Sequence, residues 1–176
     1  MPNKSAVLVA ETSKDNAADA PLVQLLQKQV ANGFILYANY KHYHWQTFGP
    51  MFRDLHLLFD EFATATLATI DEFAERIRMI GPDPIFSPQQ VMEMASVEMS
   101  RTPKKMRDMI QEADENALIV IREMRRGARL ADEADDPGTV DLFSRMVQIH
   151  EKHEWWLRDM LRKDDGLIPS HEKASH

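Results

Sequence analysis

At 176 residues the chain is long enough for one domain with a sizeable core and too short for two comfortable ones. Its 21 basic and 28 acidic side chains leave a net charge of −7, which argues against a general phosphate-binding surface and suits the collection of cations. With no cysteine, disulfides, thiolate metal sites and a thiol nucleophile are excluded, so any metal must bind through His, Asp and Glu.

Residues 1–20 are small and polar, with Lys4 and Lys14 outnumbered by Glu11, Asp15 and Asp19. They read as a flexible tail whose charge is wrong for a DNA-binding arm. They hold neither an apolar run nor a cleavage pattern, and no later window approaches the ~18 apolar residues of a membrane span. The expectation is a cytoplasmic protein with no membrane partner.

From Pro21, a good first helical residue, Leu22, Leu26, Val30, Gly33, Tyr37 and Tyr40 recur at helical spacing up to the turn at Gly49-Pro50. A second helix, carrying Phe52, Leu55, Phe59, Phe62, Ile70, Phe73 and Ile77, continues to Gly81-Pro82. Residues 81–102 form the longest interruption, in which Ser87-Pro88 reads as the cap and first residue of a short helix. Thr102-Pro103 opens a third long helix, lined by Met106, Ile110, Ala113, Ala117, Val120 and Met124, which the spacing ends at Gly127. Asp136-Pro137 opens a fourth, with Phe143, Val147, His150 and Leu157 on one face. No strand-length alternation and no repeat is present. Short links within each pair of helices and one long link between the pairs predict an all-α, ferritin-like four-helix bundle over residues 21–163, with a short helix in the crossover and a polar tail over 164–176.

Three of the seven histidines fall within residues 42–56, in the stretch HYHWQTFGPMFRDLHLLFDE. At 100° per residue, with His56 at 0°, Asp60 falls at about 40°, Asp71 at about 60° and Glu75 at about 100° on the second helix. Phe59, Leu67 and Ile70 flank the same arc, which is unusual for a solvated face. Asp60 and Asp71 are about 16 Å apart along the axis, too far for one ion to touch both. If the helix packs antiparallel on its own copy, the His56/Asp60 end of one chain meets the Asp71/Glu75 end of the other, crossing at Ala63, Thr64, Ala65 and Thr66. A two-fold interface then builds two identical sites. His44 lies five turns after Leu26, and the Gly49-Pro50 turn brings it near the start of the second helix. Each site takes His44, His56 and Asp60 from one chain with Asp71 and Glu75 from its partner. This donor set suits iron, manganese or zinc.

These residues resemble the ferroxidase signature of the Dps family, the miniferritins named for DNA-binding proteins of starved cells. The resemblance rests on His44-Trp45, the GPMF turn, LHLLFDE with His56, Asp60 and Glu61, and IDEFAERIRMIG with Asp71 and Glu75. The long crossover, Asp135-Asp136 and the HEKHEWWLRDML ending extend it over roughly residues 22–163. It implies a homo-oligomeric, dodecameric hollow shell whose inter-subunit sites, each with two iron positions, oxidise Fe²⁺ to Fe³⁺. Hydrogen peroxide is the implied oxidant, ahead of O₂, and ferric oxyhydroxide is stored inside. Zn²⁺ is a substitute occupant. Asp60 is then the bridge between a tight and a weaker position, and Glu75 a principal ligand of the tight one. Tyr43 and Trp45 flank His44 and either supply electrons when one iron is present or simply pack. By the same resemblance Asp132, Asp136 and Asp141 line a three-fold pore, with an acidic solvated loop as the competing reading, because a residue is inserted near Pro137-Gly138.

Several other features carry less. His150 and His153 read as hydrogen-bonded core or interface histidines rather than a second cluster. His42 is offset some 200° from His44 and is an accessory ligand at best. His171 and His176 carry no specific signal, and the eleven methionines read as core filling. Arg122, Arg125, Arg126 and Arg129 are assigned to a helix end, where cations favour the dipole. A bundle with an internal di-iron site needs Glu-x-x-His pairs, which the sequence lacks. A nucleoid-associated DNA-binding shell is the alternative function, disfavoured by the acidic tail and net charge.

Overall fold

The computed structural model describes residues 20–100 and 105–162. Within them the chain forms α1 (Pro21–Gln46), α2 (Phe52–Ile80), α3 (Pro88–Met94), α4 (Met106–Glu133) and α5 (Pro137–Leu161), and no strand. The four long helices pack as the expected bundle, with α3 in the crossover. The expected tails and the Thr102-Pro103 start of the third long helix fall outside the described residues; its described part begins at Met106.

The helix starts follow from local chemistry. Pro21, Pro88 and Pro137 each occupy a first turn, where a missing N–H is harmless. Ser87 and Gln90 form a capping box on α3, and Asp136 caps α5 by accepting from the Thr139 backbone N–H at 3.0 Å. Gly49 (φ 82°) and Gly81 (φ 131°) take the left-handed conformations that the turns after α1 and α2 require.

Cross-helix pairs fix the topology. Tyr40 meets Phe62 and Lys41 meets Asp60, so α1 and α2 are antiparallel. Arg76 meets Asp136 while Phe62 meets His153, so α2 and α5 are antiparallel. Asn32 meets Glu123 and Tyr43 meets Glu112, so α1 and α4 are also antiparallel. It follows that α2 and α4 run parallel, and only a connection spanning the bundle's length joins them.

The third long helix does not stop at Gly127; it runs six residues further, to Glu133. A Cβ on Gly127 would lie 2.3 Å from the Phe143 ring, so this glycine serves close packing of α4 on α5 rather than a cap. The reversal falls instead at Asp135 (φ 53°), a residue type that tolerates the left-handed region. Gly33 plays the same packing part between α1 and α2, where a Cβ would lie 2.6 Å from Ile70. The arginines expected at a helix end are therefore mid-helix, and no basic residue occupies the last turn of α4.

Three polar residues of α1 hold the crossover. Gln27 donates to the Asp83 carbonyl and accepts from the Ile85 N–H. Asn32 accepts from the Ser96 and Val97 N–H groups and donates to Glu123. Asn39 donates to the Glu98 carbonyl and accepts from the Ser100 N–H. All three are buried, and each satisfies extended backbone that no helix or sheet would otherwise pair.

Candidate metal centre

His44, near the end of α1, and His56, in the first turns of α2, face each other across the Gly49-Pro50 turn with ring centroids 3.6 Å apart. His44 Nδ1 lies 2.7 Å from the His56 carbonyl oxygen, and His56 Nδ1 lies 2.9 Å from the His44 carbonyl oxygen. A carbonyl only accepts, so in each ring Nδ1 carries a proton and Nε2 is the nitrogen left to meet a cation. Each ring is thus oriented by the other residue's backbone carbonyl and by the stack between the two rings, the kind of second contact that fixes a metal-ligating imidazole.

Asp60 is one turn further along α2. Its carboxylate accepts a 2.7 Å hydrogen bond from Lys41. That bond, with the Lys41 charge and nearby His44 and His56, holds the carboxyl below its usual range despite some desolvation. Lys41 was not singled out in the sequence, although it lies one turn before His44 and so shares its side of α1.

The acids of α2 divide by partner. Glu61 pairs with Lys152 at 3.4 Å and Glu72 with Arg145 at 2.5 Å, both reaching across to α5. Asp71 and Glu75 are exposed and have no ion pair among the described residues. Between the two ends of this face, Thr64 and Ala68 are exposed and Leu57 and Leu67 are 49% and 47% exposed. Ala63 and Thr66, expected at a crossing with a second copy, are buried in the chain's own core, so Thr64, Leu67 and Ala68 present the outward surface instead. Among the described residues of one chain, no three His, Asp or Glu side chains gather within reach of one ion.

The flanking aromatics differ sharply. Tyr43 is fully buried and donates to Glu112 at 2.7 Å, while Trp45 is 68% exposed with the Lys41 ammonium 5.9 Å from its ring centre. His42 packs edge-on against Tyr43, outside the His44–His56 pair. His150 and His153 are buried, as expected for core residues, but neither Nδ1 has a hydrogen-bond partner. Ring packing holds them: His153 stacks on Phe62 at 3.9 Å and meets the Tyr40 edge at 6.2 Å.

At the other end of the bundle, Asp132, Asp136 and Asp141 line one concavity of about 360 Å³, together with Asp135. They are not equivalent. Asp136 caps α5 and pairs with Arg76 at 2.5 Å; burial raises its pKa, but hydrogen bonds from Arg76 and Thr139 outweigh this and hold it below the usual value. Asp141 pairs with Arg145 at 3.0 Å. Asp132 and Asp135 have no ion pair among the described residues.

Comparison with known proteins bears on the whole arrangement. Residues 23–167 match the family described as Ferritin-like domain. The DNA protection during starvation protein of Brevibacillus brevis is 34% identical over 137 residues, covering 78% of this chain and 92% of that protein. The X-ray structure of Dps from Thermosynechococcus elongatus superposes with a TM-score of 0.83 at 42% identity, covering 89% of this chain and 100% of that one. Dps from Vibrio cholerae O1, described as a member of a broad superfamily of ferritin-like diiron-carboxylate proteins, superposes with a TM-score of 0.77 at 30% identity over 80% of this chain and 89% of that one. With the family match over residues 23–167, the sequence relatives and the superposed structures in agreement, the chain belongs to the Dps family of ferritin-like proteins.

Proposed function

We propose that this chain is the subunit of a homo-oligomeric iron-handling shell that oxidises Fe²⁺ at sites shared between two copies. The observation that carries this reading is the symmetry of α2. His56 and Glu75, and likewise Asp60 and Asp71, share one midpoint between residues 65 and 66. Two copies packed antiparallel about that point bring each His44/His56/Asp60 end to an Asp71/Glu75 end, and the exposed Thr64, Leu67 and Ala68 supply the contact between them. The diiron-carboxylate description of the Vibrio relative adds support for iron as the metal.

The donor set fits iron. Two imidazoles whose Nε2 atoms are left for a cation and three carboxylates offer nitrogen and hard oxygen ligands without thiolate. Anionic oxygens favour Fe³⁺ over Fe²⁺ and so promote oxidation, while the imidazoles hold the ferrous ion beforehand. Two Fe²⁺ give up one electron each, and one H₂O₂ takes both electrons and two protons to become two waters. Pairing the irons avoids the one-electron route to hydroxyl radical. We assign the rest of the family's behaviour accordingly: a dodecameric shell in the cytoplasm that prefers peroxide to O₂, stores ferric oxyhydroxide, and admits Fe²⁺ past Asp132, Asp136 and Asp141, which line one concavity.

The test is stopped-flow oxidation of Fe²⁺ by peroxide, together with particle mass. The wild-type assembly is expected to outpace an Asp60→Ala, Glu75→Ala double variant by on the order of 10² or more. Equal rates in equally assembled particles, or a monomeric wild type, overturn the reading.

A second reading has one observation in its favour. Arg122, Arg126 and Arg129 recur at i, i+4 and i+7 on α4, exposed, mid-helix and without carboxylate partners among the described residues. Such a stripe suits phosphates, and the Brevibacillus relative is a DNA protection during starvation protein. A gel shift at physiological salt, lost on Arg126→Glu, supports it; no shift in the wild type removes it.

A further inference from the structure

We propose that Lys41 is a tethered cation that holds one oxygen of Asp60 and sets the order in which the two metal positions of the centre fill. This rests on the ferroxidase reading of the centre and goes beyond it, because Lys41 belongs to no ligand set.

The geometry is specific to one oxygen. Lys41 Nζ lies 2.7 Å from Asp60 Oδ1, and among the described residues no other carboxylate pairs with Lys41 and no side chain engages Asp60 Oδ2. In the single chain the Lys41 side chain is 22% exposed and that of Asp60 49%, so nothing in the chain's own fold blocks ligand exchange at the pair. A metal bound to a carboxylate oxygen stands about 2.0–2.2 Å away, and it cannot share the Oδ1 lone pair that the ammonium occupies. A first cation can use His44 Nε2, His56 Nε2 or the partner's carboxylates together with Oδ2, leaving Lys41 in place. A second cation that shares Asp60 through Oδ1 must displace the ammonium and tolerate its charge nearby.

The fold also gives the displaced ammonium somewhere to go. Trp45 lies one turn along α1 with its ring centre 5.9 Å from Nζ, within cation–π range, and is largely exposed. A lysine suits this exchange better than an arginine: its compact charge rides on a flexible four-carbon stem, whereas a guanidinium would grip the carboxylate with a planar fork. Lys41 is therefore a positioning residue. It keeps Asp60 ordered and neutralised when the centre is empty and makes occupation of the second position conditional on the first.

The experiment uses the assembled protein under anaerobic conditions, with Co²⁺ as a redox-inert probe added stepwise and followed by calorimetry and d–d absorption. The wild type is expected to bind in two separated steps. Lys41→Met should tighten the second step by about tenfold while changing the first by less than about twofold, and Lys41→Arg should keep or widen the wild-type separation. Both steps shifting together in Lys41→Met, or neither moving, overturns the proposal and leaves the centre intact. Wild-type binding that is unaffected by Asp60→Ala with Glu75→Ala overturns the centre itself, and with it the role of Lys41.

Discussion

His44 and His56 orient each other through crossed hydrogen bonds, each Nδ1 meeting the other residue's backbone carbonyl at 2.7 and 2.9 Å. Both anchors are backbone carbonyls, which alanine keeps, and His56 also stacks on Phe52 at 5.0 Å, so each ring stays anchored when the other is removed. His44→Ala alone and His56→Ala alone are each expected to reduce Co²⁺ affinity by about 10–100-fold, and the double variant by clearly more than either single one. Calorimetric binding across the four proteins checks this; a double variant no weaker than either single one contradicts the backbone anchoring.

Gly127→Ala tests the packing role of a mid-helix glycine. Exchange to alanine in a helix ordinarily stabilises by about 1 kcal/mol. Here the added Cβ would stand 2.3 Å from Phe143, and relieving that overlap is expected to cost about 1–3 kcal/mol, giving a net loss. Urea unfolding should show a lowered midpoint, recovered in part by Phe143→Leu.

Asn32→Leu tests the clamp on the crossover. The substitution leaves the Ser96 and Val97 N–H groups and one bond of Glu123 without a partner. An expected loss of about 2–4 kcal/mol should appear in urea unfolding, with faster amide exchange at Ser96 and Val97. Unchanged exchange there would mean that α1 does not hold this segment.

Acid should weaken the bundle through its buried histidines. Burial pushes His150 down to about 4 and His153 to about 3 from an ordinary 6.5. Below about pH 6.5 the unfolded chain takes up protons that the native core refuses, so stability falls as pH drops toward 4. The decline is expected to reach a few kcal/mol. His153→Phe, which keeps a ring against Phe62, should flatten the dependence in urea midpoints measured between about pH 7 and 4.5. A slope identical to wild type contradicts the assignment.

What could be read in advance depended on how local its cause was. Helix starts were legible because Pro21, Ser87-Pro88 and Asp136-Pro137 act within their own first turn. That His56, Asp60, Asp71 and Glu75 share one side of α2 was legible because helical geometry alone aligns them; that they bind metal is a proposal. Gly127 misled because a capping glycine and a packing glycine look alike until Phe143, on another helix, comes into contact. Gln27, Asn32 and Asn39 give no sequence signal, since their partners lie in the crossover about 60 positions away. Lys41 was missed for a related reason: its partner Asp60 belongs to the next helix, and a lone lysine beside histidines gives no signal by itself.

Under the proposed antiparallel pairing, the common midpoint on α2 also predicts how a defect is inherited in mixed particles. Consider one subunit type lacking His44, His56 and Asp60 and another lacking Asp71 and Glu75, each inactive on its own. When the two pair, the surviving halves meet at one site and the damaged halves at the other, so every hybrid pair regains one working centre. Random association in equal amounts restores about a quarter of all centres, an intragenic complementation that a centre contained within a single chain could never show.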